Sequence, residues 1–326
     1  MCGAFSEGRV VFLEHTNNKL NMVGTSFYVV SGLLLVLLQT MIAFTTSLIV
    51  PLSAATPSKS LAGMIVAASS TTTNRTTVDL GTALSSTPPG TKSLIVLGTH
   101  AADFNMVEYC QRVRFFLPQL QSKGVDRFIL VVNGKISSCK KLTELLDLPE
   151  TMELYADPSG EAGRRFGVSR GFRPDDARFS PALRLFCQGI GIGPPRTLGA
   201  VLAGYVGSPD GTRDFIEDGL LQGQLAGRWP AVLDLGRNNS ILKNSFDDFP
   251  LLGSWGRRPF ELATLRLQNL IGIQFKNWDA LKPDEPQCLT QLGGCAVVGG
   301  GGEPLYSWVD RGLCDLPDFQ ELIDSL

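Results

Sequence analysis

The chain is short of histidine and of paired cysteines. Its 326 residues include only two histidines, and the seven cysteines (Cys2, Cys110, Cys139, Cys187, Cys288, Cys295 and Cys314) contain no C-x-x-C pair. Zinc sites and disulfide frameworks need such residues clustered at set spacings, so both are excluded as organising features. A basic excess is missing too. The 29 Lys and Arg are matched by 31 Asp and Glu, a formal net charge of −2. That balance leaves no electrostatic footprint for nucleic acid.

Charge is also absent locally. No charged residue stands between Asn21 and Ser58, and the densest apolar part is "SFYVVSGLLLVLLQTMIAF", Ser26 to Phe44. It follows Arg9 and Lys19, which is the order of a secretory signal. Ala43 would suit cleavage, leaving Phe44 as the new N-terminus. The stretch that follows, up to about residue 90, is rich in Ser, Thr and Ala and poor in acids, a transit-peptide composition. Signal and transit segments in tandem resemble the bipartite plastid presequence of algae with secondary plastids. Residues 1–90 are therefore expected to be a disordered targeting segment and the destination a plastid (chloroplast), with no membrane span in the mature protein. The alternative is a membrane anchor through residues 26–44, since about 20 apolar residues cross a bilayer.

The remainder, residues 91–326, alternates strand and helix signals. "SLIVLG" (Ser93 to Gly98) and "RFILVVNG" (Arg127 to Gly134) are continuous apolar runs, suited to strands buried on both faces. A helix is predicted over Val107 to Lys123, and a second over Ser137 to Pro149, opened by capping serines. "MELYADPSG" (Met152 to Gly160) reads as a third strand. From about 173 to 258 the pattern turns irregular, with short helices around "SPALRLFCQGIG" and "PPRTLGAVLAGYVG". "GIGIG" (Gly189 to Gly193) superficially resembles a dinucleotide fingerprint, but it follows no strand and runs into two prolines, so it reads as a turn. Arg257 to Trp278 is expected to be one long helix. "GGCAVVGGGGEPLYSWVD" (Gly293 to Asp310) is expected to be an antiparallel hairpin. Strand, helix, strand, helix, strand, insertion, helix, hairpin is an α/β order. It predicts a thioredoxin-like fold: a central mixed sheet flanked by helices, with a large insertion before the last helix and the C-terminal hairpin.

The phrases "ADFNMVEY", "ADPSGEAGRRFGVSRG", "RPFELATLRLQN", "TQLGG" and "PLYSWVDRG" occur in that order. Together they resemble the AhpC/TSA-type, peroxiredoxin-like proteins of cyanobacteria and plastid-bearing eukaryotes, over roughly Ser93 to Leu316. The resemblance implies a thioredoxin fold and thiol or peroxide chemistry in antioxidant defence. It brings no metal or organic cofactor. The partners it implies are a plastid protein or a thioredoxin-type reductant.

Ordinary peroxiredoxins carry the peroxide-attacking cysteine in Pro-x-x-x-Thr/Ser-x-x-Cys, often worded Asp-Phe-Thr-Phe-Val-Cys. Laid over Asp103-Phe-Asn-Met-Val-Glu108, this puts Glu108 in the cysteine's place, Asn105 in that of Thr/Ser and Ala101 in that of Pro. Cys110 falls two residues late, about 200° around a helix. It shares an apolar stripe with Val113, Leu117 and Leu120, which reads as core packing, with catalysis as the other reading. Asn105 and Glu108 have capping-box spacing, and Arg112 lies one turn beyond as an ion-pair partner. If any thiol is reactive, Cys139, in the first turn of a predicted helix and followed by Lys140 and Lys141, is the better one, because both features lower a thiol pKa; the other reading is an unremarkable surface cysteine. Cys139 and Cys110 are thus the candidate catalytic residues. Two functions stand: a thioredoxin-fold binding or scaffold protein without turnover, and a divergent thiol oxidoreductase or peroxidase using a displaced cysteine.

Overall fold

A computed structural model of the chain describes residues 65–68, 78–81, 90–229, 231–300, 302 and 304–326. The expected signal core at residues 26–44 lies outside them, as do Cys2 and most of the transit-like stretch. No helix among the described residues is long and apolar enough to cross a membrane.

The centre is a mixed sheet. Strands β3 (Lys92–Leu97), β4 (Val125–Val132) and β5 (Met152–Ala156) run parallel, joined through helices α1 (Phe104–Ser122) and α2 (Ile136–Leu146). The C-terminal hairpin, β8 (Gly294–Gly299) and β9 (Pro304–Val309), adds antiparallel on the far side of β3. The alternation along "LIVL" shows why the central strands are apolar throughout. Leu94 and Val96 join one core with Met106, Cys110 and Val113 of α1, whereas Ile95 and Leu97 join a second core with Phe166 and Val168. Successive residues of a strand face opposite ways, so a strand covered on both sides needs every position apolar. The second face is covered by the short helix α3 (Glu161–Phe166) and by Leu80.

Two further strands extend the sheet beyond β5. They are β1 (Ile65–Ala68) and β2 (Val78–Asp79), and they make the order β2-β1-β5-β4-β3-β8-β9. Ala67 pairs with Ala156 and Ala68 with Tyr155. The sheet therefore draws on residues that composition alone assigns to a disordered presequence.

The insertion holds α4 (Pro181–Gly189), α5 (Thr197–Val206), α6 (Asp214–Leu225) and a small hairpin, β6 (Leu233–Leu235) with β7 (Ile241–Asn244). "GIGIG" is the turn between α4 and α5, as its lack of a preceding strand predicts. Phe215, Ile216, Leu220, Leu233 and Phe246 form a third core with Leu262 and Leu265 of the next helix, α7 (Glu261–Asn269). The single long helix expected over 257–278 is divided. It starts behind Pro259 and a left-handed Phe260 (φ 66°), widens into a π-helical stretch over Leu270–Phe275, and ends before the separate α8 (Trp278–Leu281). The chain closes with α9 (Phe319–Asp324), which the sequence reading did not contain and whose Phe319 and Leu322 pack beneath α1.

Candidate functional site

The loop after β3 brings the chain to the N-terminal end of α1. Gly98 makes the turn possible, since a Cβ there would sit 2.8 Å from the Val131 carbonyl oxygen. The helix starts at Phe104, three residues earlier than expected, and its cap is Asp103, whose carboxylate accepts from the Asn105 amide at 2.8 Å and from Thr99 Oγ1 at 2.9 Å. Burial pushes the Asp103 carboxyl up to about 6, against those two bonds.

Asn105 is thereby released from capping, which corrects the Asn105–Glu108 capping box. Its side chain ties the helix start to the loop after β9. Nδ2 donates to Asp310 Oδ2 at 2.7 Å and to the Gly312 carbonyl at 3.3 Å, while Oδ1 accepts from the Cys314 amide at 2.7 Å. Tyr109 donates to the other Asp310 oxygen at 2.7 Å. Burial raises Asp310 to about 7, although the bonds from Tyr109 and Asn105 pull the other way.

One turn into α1, Glu108 is buried between two arginines. Arg112 donates through Nε at 3.1 Å and Nη2 at 2.8 Å to Oε1. Arg266, on α7, donates through Nε to Oε2 at 2.9 Å and through Nη2 to Oε1 at 3.3 Å. Arg266 is itself held by the Ala200 carbonyl of α5 at 3.0 Å, and Arg112 stacks over the Phe215 ring of α6 at 4.4 Å. The insertion thus supplies the walls of the site. Burial alone would raise the Glu108 carboxyl, but the charges and hydrogen bonds of Arg266 and Arg112 outweigh it and hold the group at about 2. Glu108 is a carboxylate at every ordinary pH.

The two candidate cysteines lie elsewhere. Cys110 is fully buried in the α1 core, as its apolar stripe predicts, and burial drives its thiol far above the ordinary range. Cys139 corrects its expectation. The cap of α2 is Lys135 rather than a serine, and Cys139 turns inward to join Leu142 and Leu146 in the same core as Cys110. Burial pushes its thiol up to about 12, the reverse of the activation expected from the helix start and the lysines. The spacing Cys139, Leu142, Leu146 is a helical stripe that signals this burial.

Two residues that the sequence reading passed over belong to the site. Arg266 is one, an arginine inside the apolar stripe of α7. Cys314 is the other, in a left-handed conformation (φ 63°) on the loop after β9. Its carbonyl faces Arg266 Nη2 at 3.5 Å. Burial raises the thiol to about 12, while Arg266 draws it down and Glu108 opposes that pull. Among the described residues no group of three His, Cys, Asp or Glu could hold a metal ion.

A family profile described as AhpC/TSA antioxidant enzyme matches residues 113–312. The chain belongs to the AhpC/TSA family. No curated protein and no solved structure matches it. The AhpC/TSA match runs from the middle of α1 through the whole insertion to Gly312, so it includes Arg266 and Asp310. In this AhpC/TSA protein α1 offers, one turn from its start, a buried, doubly clamped carboxylate at Glu108.

Proposed function

We propose that the chain is a peroxiredoxin-like protein of the kind found in cyanobacteria and plastid-bearing eukaryotes, in which Glu108 stands where a peroxidase carries its attacking cysteine. It acts by binding, as a scaffold, and not by turnover. The observation that carries this reading is the two-arginine clamp on Glu108. The groups that would activate a thiolate and orient a peroxide are engaged with a carboxylate, which cannot be oxidised by peroxide. In this reading the apolar run at residues 26–44 and the Ser/Thr-rich, acid-poor stretch after it direct the chain to a plastid; an anchor through residues 26–44 is the alternative. The partner is then a plastid protein.

A second reading rests on Cys314, whose thiol Arg266 draws down and whose carbonyl faces Arg266. As a thiolate it would attack a peroxide oxygen, becoming a sulfenate and releasing water or an alcohol, and a thioredoxin-type reductant would restore it. Supplied with thioredoxin, its reductase and hydrogen peroxide, the purified chain is expected to consume peroxide no faster than a free-thiol control. Rapid consumption abolished by Cys314→Ser, Cys110→Ser or Cys139→Ser would replace the binding reading with a thiol peroxidase.

A further inference from the structure

The clamp at Glu108 holds more positive charge than it neutralises. Arg112 and Arg266 share one carboxylate. A third arginine, Arg257, feels the charges of both. Arg266 packs on α5 at Ala200 and at Gly204, where an added Cβ would lie 3.2 Å from Arg266 Nη1. Arg257 is fixed against Ser208, just past the end of α5. Its carbonyl accepts from the Ser208 amide at 2.8 Å and its amide donates to the Ser208 carbonyl at 3.0 Å. Burial weakens the Arg257 charge, the charges of Arg112 and Arg266 weaken it further, and Glu108 and Glu261 favour it.

The Arg257 side chain is half-buried, with Nε shielded from solvent, and it has no hydrogen-bond or carboxylate partner among the described residues. The two acids that act on it, Glu108 and Glu261, are committed elsewhere. Glu261 accepts from Arg213 at 2.8 Å, from Asn244 at 2.9 Å and from the Arg258 amide at 3.1 Å. Partly buried charges are normally paired, and a guanidinium presents a planar fork of donors that matches an oxyanion. We propose that Arg257, held at the end of α5 whose face contacts Arg266 and left with an unpaired Nε, binds an oxyanion, either a carboxylate or a phosphate. This deepens the binding reading above and rests on it, by naming the chemistry that a ligand or partner brings to the site.

The test titrates the full chain with sodium sulfate, phosphate and acetate at constant ionic strength, followed by calorimetry. Saturable binding of at least one of the three is expected, and the stronger of acetate and phosphate identifies the source as carboxylate or phosphate. Arg257→Gln should weaken binding about tenfold or more, the scale of one charge-assisted hydrogen bond, and Arg257→Lys should weaken it less. Arg178→Gln, which removes an exposed arginine paired with Asp176, should leave it unchanged. Circular dichroism confirms that each variant is folded. No saturable binding of any anion, equal binding by Arg257→Gln, or equal loss in Arg178→Gln would overturn the proposal. Peroxidase activity is a separate result. It would overturn the non-turnover reading while these titrations decide the anion site.

Discussion

The guanidinium of Arg266 and the carboxylate of Glu108 meet through two hydrogen bonds, at 2.9 and 3.3 Å, across 158 residues of sequence. One belongs to the first half of the thioredoxin-like unit and the other to the helix after the insertion. Their union is what closes the site.

Removing the carboxylate should be costly. Glu108→Gln leaves two largely buried guanidiniums without their counter-charge, a change of about 3–5 kcal/mol. Urea unfolding of wild type and variant measures it. The sign with pH follows from the lowered carboxyl, held at about 2 against an ordinary 4.5. The folded state releases this proton more readily than the unfolded chain does. The stability it contributes is thus complete above about pH 4.5 and is lost as pH falls towards 2. That part of the acid limb should vanish in Glu108→Gln.

Asp310 should behave in the opposite sense. Its carboxyl, raised to about 7 from 3.8, keeps its proton in the folded state, so its contribution is present at low pH and declines as pH rises from about 4 to about 7. Tyr109→Phe removes a hydrogen bond that favours the charged form. The Asp310 carboxyl should then titrate at higher pH still, as carbon-13 NMR of its side chain would show. A midpoint that stays put or falls would contradict the hydrogen bond seen here.

Thiol chemistry can be used to read the site's field. Cys110, Cys139, Cys187, Cys288, Cys295 and Cys314 are all buried. Iodoacetamide at neutral pH should label none of these six appreciably before unfolding, with Cys139 as protected as Cys110. Glu108→Cys places a thiol between Arg112 and Arg266 near a helix start, where a thiolate is favoured. That engineered thiol should label first, in a site-resolved mass-spectrometric comparison. Adding Asn105→Thr should destabilise the protein, because threonine cannot make the three bonds of Asn105 to Asp310, Gly312 and Cys314.

The N-terminal boundary can be checked in the same way. β1 pairs with β5, so a chain beginning at residue 54 should be more stable than one beginning at residue 91, which would leave the β5 edge open. Equal unfolding midpoints for the two would mean that β1 contributes nothing.

Much of this fold is readable in the sequence, because buried parallel strands write themselves as unbroken apolar runs. "SLIVLG", "RFILVVNG" and the glycine-centred hairpin all fall where they are expected. The site was half legible. The i, i+4 spacing of Glu108 and Arg112 is local and visible, whereas Arg266 is recruited by tertiary packing that no short window contains. Asp103 took the cap from Asn105 because the helix begins three residues sooner, which frees the amide for long-range bonds. At Cys139 the stripe shared with Leu142 and Leu146 outweighs the charged neighbours Lys140 and Lys141 and turns the thiol inward.

Asn105 also sets an order of events for a chain made from its N-terminus. Its three partners, Asp310, Gly312 and Cys314, lie 205, 207 and 209 residues downstream. During synthesis the first turn of α1 must wait for almost the entire remaining chain before its side chains are satisfied. Closing contacts at such separations is slow. Until then Glu108 has the local Arg112 as its counter-charge, and the nascent domain carries an unfinished polar centre that is completed last.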